Sequence, residues 1–500
     1  MSPAPIQSDH RRAAGILLHP TSLPGRYGIG DLGHELIAFL NWAASAGMRF
    51  WQALPLNPPG YGHSPYGCLS SFAGNPLLIA PQHLLQDDLL PSRGADAVPD
   101  FPDDHVAFRD VIPWKMSLLR QSWAHVRDRE SIQEAVAAFA AAEQAWLTDF
   151  TLYMALKNRE GGAPWWRWEK DVARREPQAL ARMTTELAEE IRFHEFVQFV
   201  FFNQWRSVRA AAAARGISII GDLPIYVACD SADVWSNREL FQLDEEGEPT
   251  VVAGVPPDYF SDVGQRWGNP LYRWDLMRES NYRWWVSRIE ASLRFADVVR
   301  IDHFRGFAAY WEIPVHEPTA VHGRWMPGPG RALFDAVREH LGELPLLAED
   351  LGFITEDVHQ LRRTIGIPGM RILQFGFTQA DSPHLPHRYE PNTVAYTGTH
   401  DNDTAVGWYQ SAPEHEQEFA RDYLGATKRE IPFAMIRSAY TSVARIVIVP
   451  AQDVLEIGSE GRMNRPGATE DNWNWRMAPG ALTRDAAHKF RRLAEVTGRL

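Results

Sequence analysis

The sequence is short of cysteine. Only Cys68 and Cys229 occur in 500 residues. Neither stands beside a second Cys or a Cys/His cluster at ligand spacing, so no disulfide framework and no metal site is expected. Two reduced thiols fit a cytoplasmic setting. Positive charge is also in deficit: 50 Lys and Arg face 63 Asp and Glu, a net charge of -13. Nucleic-acid binding draws on clustered cations, so no nucleic-acid partner is expected, and basic or neutral small molecules remain. Met1 to Gly15 holds no apolar signal core, and no run of about eighteen apolar residues occurs, so neither export nor a membrane partner is expected. A P-loop and an HExxH are missing too. Gly28-Ile29-Gly30 does not sit at the strand–helix junction that a dinucleotide site needs.

With 45% hydrophobic and 23% charged residues, the chain has the composition of a large core and not of a disordered segment. Short apolar runs recur at 15–20, 50–56, 217–225, 297–304, 344–351, 370–375, 393–400 and 445–450. Most are continuous rather than alternating, as strands buried on both faces of a parallel sheet should be. Helical stripes lie between them: Leu36, Phe39, Leu40 and Ala43; Tyr282, Trp285, Ile289 and Leu293; Leu333, Val337 and Leu341 before Gly342. Thr355 is placed to cap a helix carrying Val358, Leu361 and Ile365, stopped by Gly366. Eight strands alternating with helices predict an α/β protein, a (β/α)8 TIM barrel spanning 1–500, with an open doubly wound sheet as the rival.

The spacing is uneven. Residues 57–216 form a helix-rich insertion after the second strand, with one amphipathic helix from Ile132 to Leu156 and another from Leu187 to Gly216; the run Phe199 to Phe202 reads as core. Residues 227–280, after the third strand, are poor in regular pattern. Segments that follow barrel strands build the active-site face, so these two insertions are expected to sit around the C-terminal mouth and shape a cleft.

Barrel enzymes carry their chemistry at the C-terminal ends of strands. That rule selects Asp222, Asp302, Glu349 or Asp350, and Asp401 or Asp403. Paired carboxylates bind divalent metals, abstract protons, or cleave glycosidic bonds. Arg300 and Asp302 are two apart and share a strand face, so a guanidinium favours the carboxylate form of Asp302; Arg300 as a purely structural core ion pair stays open. Glu349 follows an apolar run, where desolvation favours the acid form. One ionised and one protonated carboxyl is the division of labour in a retaining glycosidase. Sugars need aromatic faces and polar groups, and the loops supply Tyr61, His63, Ser64, Tyr66, Asp258, Tyr259, Phe260, Gln265, Trp267, Asn269, Asn464, Trp473 and Trp475. Trp165, Trp166 and Trp168 fit a core equally well, and His19, His303 and His400 fit hydroxyl-binding and structural roles alike.

The stretches HPTSLPGRYGIGDLG, GYGHSPY, GDLPIYV, VVAGVPPDYFSDVGQRWGNPLYRW, RIDHFRGF, LLAEDLG, YTGTHDNDT and QDVLEIGSEGRMNRPG resemble the amylomaltases, the 4-α-glucanotransferases of glycoside hydrolase family 77. The likeness runs from about Gly15 to the end. It implies transfer of α-1,4-glucan segments between maltooligosaccharides, amylose or glucose, with no cofactor and no metal, by a monomer. It also implies Asp302 as nucleophile, Glu349 as acid/base, Asp401 as transition-state stabiliser, and Asp222, Arg300, His400, Tyr66, Tyr259, Phe260, Gln265, Trp267 and Asn464 as substrate-binding groups. It alone decides for Glu349 over Asp350 and for Asp401 over Asp403. An α-amylase-like hydrolase, a non-catalytic glucan-binding protein and a metal-dependent lyase are the other readings.

Overall fold

The computed structural model describes residues 11–91, 98–257, 261–342, 344–468 and 470–500. Twelve strands run through the described residues: β1 (Ala13–Leu17), β2 (Phe50–Gln52), β3 (Ser218–Leu223), β4 (Val251–Val255), β5 (Gln265–Pro270), β6 (Val298–Ile301), β7 (Ala309–Pro314), β8 (Arg324–Pro327), β9 (Leu346–Ala348), β10 (Gly369–Ile372), β11 (Thr393–Tyr396) and β12 (Ile446–Pro450). Eight of them pair in parallel in the order β10-β11-β12-β1-β2-β3-β6-β9, one in each apolar run. The ends of that order meet, because Ala348 N donates to Pro368 O at 2.9 Å. The sheet is therefore a (β/α)8 barrel and not an open doubly wound sheet. Strands β1, β6, β11 and β12 are buried throughout, as continuous apolar runs require when helices cover one face and side chains fill the other.

Close approach of β1 to both neighbours depends on Gly15. A Cβ there would stand 2.6 Å from Phe50 O and from Ile448 Cδ1, well inside contact distance. Inside the barrel, Tyr396 donates to Gln52 Oε1 at 2.8 Å, so the polar interior is internally bonded. At the opposite end, Arg499 is fully buried. Its guanidinium donates to the carbonyls of Ala13, Tyr440, Ser442 and Ala444 at 2.8–3.1 Å, closing the floor where β1 and β12 begin.

The outer layer follows the periodic stripes. Helices His34–Ser45, Arg283–Phe295, Arg331–Leu341 and Glu356–Ile365 turn their apolar faces inward. Gly342 and Gly366, at φ 81° and 80°, end two of them. Thr355 does stand at the N-cap, but its side chain caps no helix N–H. Between β10 and β11 the chain makes two 3-10 stretches, Leu373–Thr378 and Pro386–Arg388, in place of a helix. The residues between β2 and β3 hold several helices, among them Phe108–Val126, Pro177–Glu186 and Ala188–Ala214. The single helix expected from Ile132 to Leu156 is two, Glu130–Ala142 and Gln144–Arg159, broken at Glu143 where φ is -105° and ψ 9°. Trp165 and Trp168 are buried there, and their indoles donate to Cys229 O and Ala163 O, so both serve the core.

The segment 227–280 is more regular than its sequence pattern implied. Strands β4 and β5 from it join β7 and β8, which follow β6, in an antiparallel sheet ordered β5-β4-β7-β8. Val252, Ile313 and Ala320 give this sheet a small core of its own.

Candidate active site

Strand register brings the charged residues together. Asp222 on β3 lies opposite Arg300 on β6, and both point into the barrel, where Arg300 is 2% exposed. Arg300 Nη1 donates to both oxygens of Asp222, at 2.7 and 2.6 Å. Its Nη2 lies 3.1 Å from Asp302 Oδ1 and 3.1 Å from Glu349 Oε2. One guanidinium thus touches three carboxyls that belong to three adjacent strands. Asp302 and Glu349 stand on either side of one guanidinium nitrogen.

Glu349 is held by its backbone surroundings. His303 adopts a left-handed conformation, φ 47° and ψ 50°, uncommon for a residue with a side chain and a form of strain that gathers at functional sites. The turn aims its N–H at Glu349 Oε2, 2.6 Å away, while Phe304 N donates to Glu349 O at 3.1 Å. Burial, reinforced by the neighbouring Asp302, holds the Glu349 carboxyl well above the usual carboxylate range, although Arg300 and the His303 N–H pull the other way. Burial also pushes the His303 imidazole down to about 4, so the ring is neutral at pH 7. It meets Trp267 edge-to-face at 4.8 Å.

Asp401 occupies the other side. Asn464 donates to Asp401 Oδ1 at 2.6 Å, and His400 Nε2 is 3.4 Å from Oδ2. Arg462, which the sequence did not single out, ties this group together: it donates through Nη2 to Asp401 O and through Nε to Asn464 O, both at 2.8 Å. Tyr66 connects the two halves. Its hydroxyl donates to Asp222 Oδ2 at 2.8 Å, and its ring stacks on His400 with centroids 5.1 Å apart. Trp473 packs against both rings.

The two carboxyl ambiguities resolve by direction. Asp350 points away from the mouth, with Oδ1 accepting from Met370 N at 2.7 Å and Oδ2 at 3.1 Å from Arg362 Nε. Asp403 accepts from Ser459 Oγ and Thr404 N at the start of the helix Ala405–Ser411. Both are structural. Gln265 and Trp267 bond to each other through Oε1 and Nε1 at 3.1 Å, on the rim. Asn269 is half-buried and donates to Val227 O at 2.9 Å, and Trp475 is buried. Tyr61 is almost fully exposed, and Asp258, Tyr259 and Phe260 lie outside the described residues. Among the described residues no three His, Cys, Asp or Glu side chains are grouped to hold a metal ion; the positive charge at the centre is the Arg300 guanidinium.

Inverting glycosidases keep their two carboxyls about 6.5–9.5 Å apart to admit a water, and retaining ones hold them at about 5–5.5 Å. Asp302 Oδ1 and Glu349 Oε2 each lie 3.1 Å from one guanidinium nitrogen, so these oxygens are no more than twice that distance apart, a spacing in keeping with a (β/α)8-barrel enzyme of the retaining glycoside type. The chain belongs to the 4-alpha-glucanotransferase family, glycoside hydrolase family 77, whose model matches residues 18–483. It is 51% identical over 500 residues to a 4-alpha-glucanotransferase of Thermus thermophilus, covering 98% of this chain and 99% of that one. It is 46% identical over 496 residues to a 4-alpha-glucanotransferase of Synechocystis sp., with 98% of each chain covered. Among solved structures, an amylomaltase from Streptococcus agalactiae in complex with acarbose superposes with a TM-score of 0.95 at 38% identity, covering 98% of this chain and all of that one. The protein is an enzyme acting on α-1,4-glucans.

Proposed function

We propose that the protein moves α-1,4-glucan segments by a double displacement in which Asp302 is the nucleophile and Glu349 the acid/base. The observation that carries this reading is the shared contact of Arg300 with Asp302 and Glu349. Asp302 attacks the anomeric carbon, the bond from that carbon to the glycosidic oxygen breaks, and Glu349 gives the departing oxygen its proton. Once Asp302 is esterified its charge is gone, and with it one of the influences that keep Glu349 protonated. Glu349 is then suited to take the proton from an acceptor 4-hydroxyl, which attacks the same carbon and frees Asp302. Asp401, fixed by Asn464 and His400, accepts sugar hydroxyls as positive charge develops on the ring. Tyr66 and Asp222 hold Arg300 and the floor of the donor site. Trp267, Gln265, Tyr259 and Phe260 cover the sugars. The insertions 57–216 and 227–280 form the walls.

Transfer wins over hydrolysis when a bound acceptor reaches an effective molarity above that of water, about 55 M. The aromatic rim is suited to that binding. A cytoplasmic monomer is part of the same proposal, and two free cysteines are compatible with a reducing compartment. Incubation with maltotriose tests the reading: a ladder of longer and shorter maltooligosaccharides together with glucose is expected. Hydrolysis products alone would make the protein an amylase-like hydrolase, and no products would leave a glucan-binding protein. Asp302→Asn should remove turnover with the circular-dichroism spectrum unchanged; retained turnover would remove Asp302 from the role.

A further inference from the structure

Two large aromatics stand exposed on the segments that continue from Asp302 and Glu349. Phe353 is 67% exposed and Trp325 38%, and each flanks the same cation. The Arg305 guanidinium lies 3.9 Å from the centroid of Trp325 and 5.9 Å from that of Phe353. It also donates to the Phe353 carbonyl, which fixes the loop after β9. Trp325 is braced from behind by Trp311, edge-to-face at 5.1 Å. Arg305 itself is 6% exposed, and its Nε is buried without a partner. The result is a braced aromatic surface open to solvent, which the barrel core does not require.

Its position assigns it a side. Arg305 follows Asp302 by three residues and Phe353 follows Glu349 by four. The residue that protonates the glycosidic oxygen must sit beside the leaving group, so the loop that continues from Glu349 lies towards the leaving and accepting sugar. The donor sugar is held on the opposite side, by Asp401, Asn464 and His400. Glucose units offer C–H faces that pack on aromatic rings.

We infer that Phe353 and Trp325, braced by Arg305, form an acceptor platform for glucose units beyond the first, and that Phe353 raises the preference for maltooligosaccharide acceptors over free glucose. This rests on the transfer reading above. Free glucose fills only the position next to Glu349 and does not reach the platform, whereas a longer acceptor lies across it.

The test supplies labelled glucose and labelled maltotetraose together, with amylose as donor, and measures how the label divides between the two product families. That ratio does not depend on the donor step. Phe353→Ala is expected to lower the maltotetraose-to-glucose ratio about three- to tenfold, the range that one aromatic contact supplies. Trp325→Ala should shift it in the same direction, and Phe353→Tyr should restore the ratio. The exposure of Phe353 leaves the melting temperature of its variants unchanged. An unaltered ratio in Phe353→Ala, with normal transfer by the unmodified enzyme, overturns the platform. Failure of the unmodified enzyme to label either acceptor overturns the transfer reading instead.

Discussion

Replacing Arg300 with lysine keeps one positive charge in the barrel and removes the fork. The arginine makes two hydrogen bonds to Asp222 through Nη1 and touches Asp302 and Glu349 through Nη2. A lysine ammonium is a point charge on a shorter reach and cannot span both sides. Held by Asp222, which already receives the Tyr66 hydroxyl, it abandons the other two carboxyls. Hydrogen bonds to charged groups contribute about 1.5–3 kcal/mol each. Loss of the two Nη2 contacts therefore removes about 3–6 kcal/mol of transition-state stabilisation, a fall of about 10²- to 10⁴-fold in kcat/KM. Glucose release from maltotriose, followed across pH, is the assay. Because Arg300 pulls the Glu349 carboxyl down, withdrawing it should also move the alkaline limb of the profile to higher pH. The variant would thus be slower and yet less sensitive to base. Activity within threefold of the unmodified enzyme, or an alkaline limb moved to lower pH, would refute the reasoning.

The alkaline limb itself is expected from Glu349. If its acid form protonates the leaving oxygen as proposed, then, because burial and Asp302 raise its pKa, kcat/KM should hold through neutral pH and fall as pH rises through the raised value; Glu349→Gln should abolish transfer at every pH, and a limb unmoved by Arg300→Lys would assign it to another group. At the far end of the barrel, Arg499→Met takes a donor from the carbonyls of Ala13, Tyr440, Ser442 and Ala444, of which Tyr440 and Ser442 keep Arg12 Nη2. With about 1–3 kcal/mol for each buried acceptor left unsatisfied, and part of that recovered by ordering water, a melting temperature lowered by about 3–5 °C is expected for a chain of this length. An unchanged melting curve would show the floor to be closed without Arg499.

The barrel was legible because its strands are buried on both faces. Leu346–Ala348 and Ile446–Pro450 are unbroken apolar runs, too short for helices and suited to strands covered on both sides. The antiparallel sheet was hidden by the opposite physics. β5 reads QRWGNP and β8 reads RWMP; half-exposed, with Gly and Pro inside, they carry no period, and their pairing spans two separate loops. Strand ends pointed to the carboxyls, but adjacent pairs such as Glu349-Asp350 differ only in which way each side chain turns. That is set by partners distant in sequence, Arg300 for one and Arg362 with Met370 for the other. Arg462 escaped notice for a related reason: it works through backbone carbonyls of Asp401 and Asn464, and only its place two residues before Asn464 could have signalled it. The left-handed turn at His303 leaves no trace in composition at all.

The antiparallel sheet that follows Asp302 has a core separate from that of the barrel. Val252, Ile313 and Ala320 are sealed among themselves, and the sheet they hold together is stitched from the segments that leave β3 and β6. Val255 and Gln265 pair at the ends of β4 and β5, so these two strands are fixed to the sheet that continues from Asp302 through β7. Cooperative units of this kind open at their own free energy, below that of the whole fold. The stability of this sheet is therefore an independent variable: a methyl group removed at Ile313 is expected to loosen β4 and β7, while the barrel that aligns the carboxyls stays as it was.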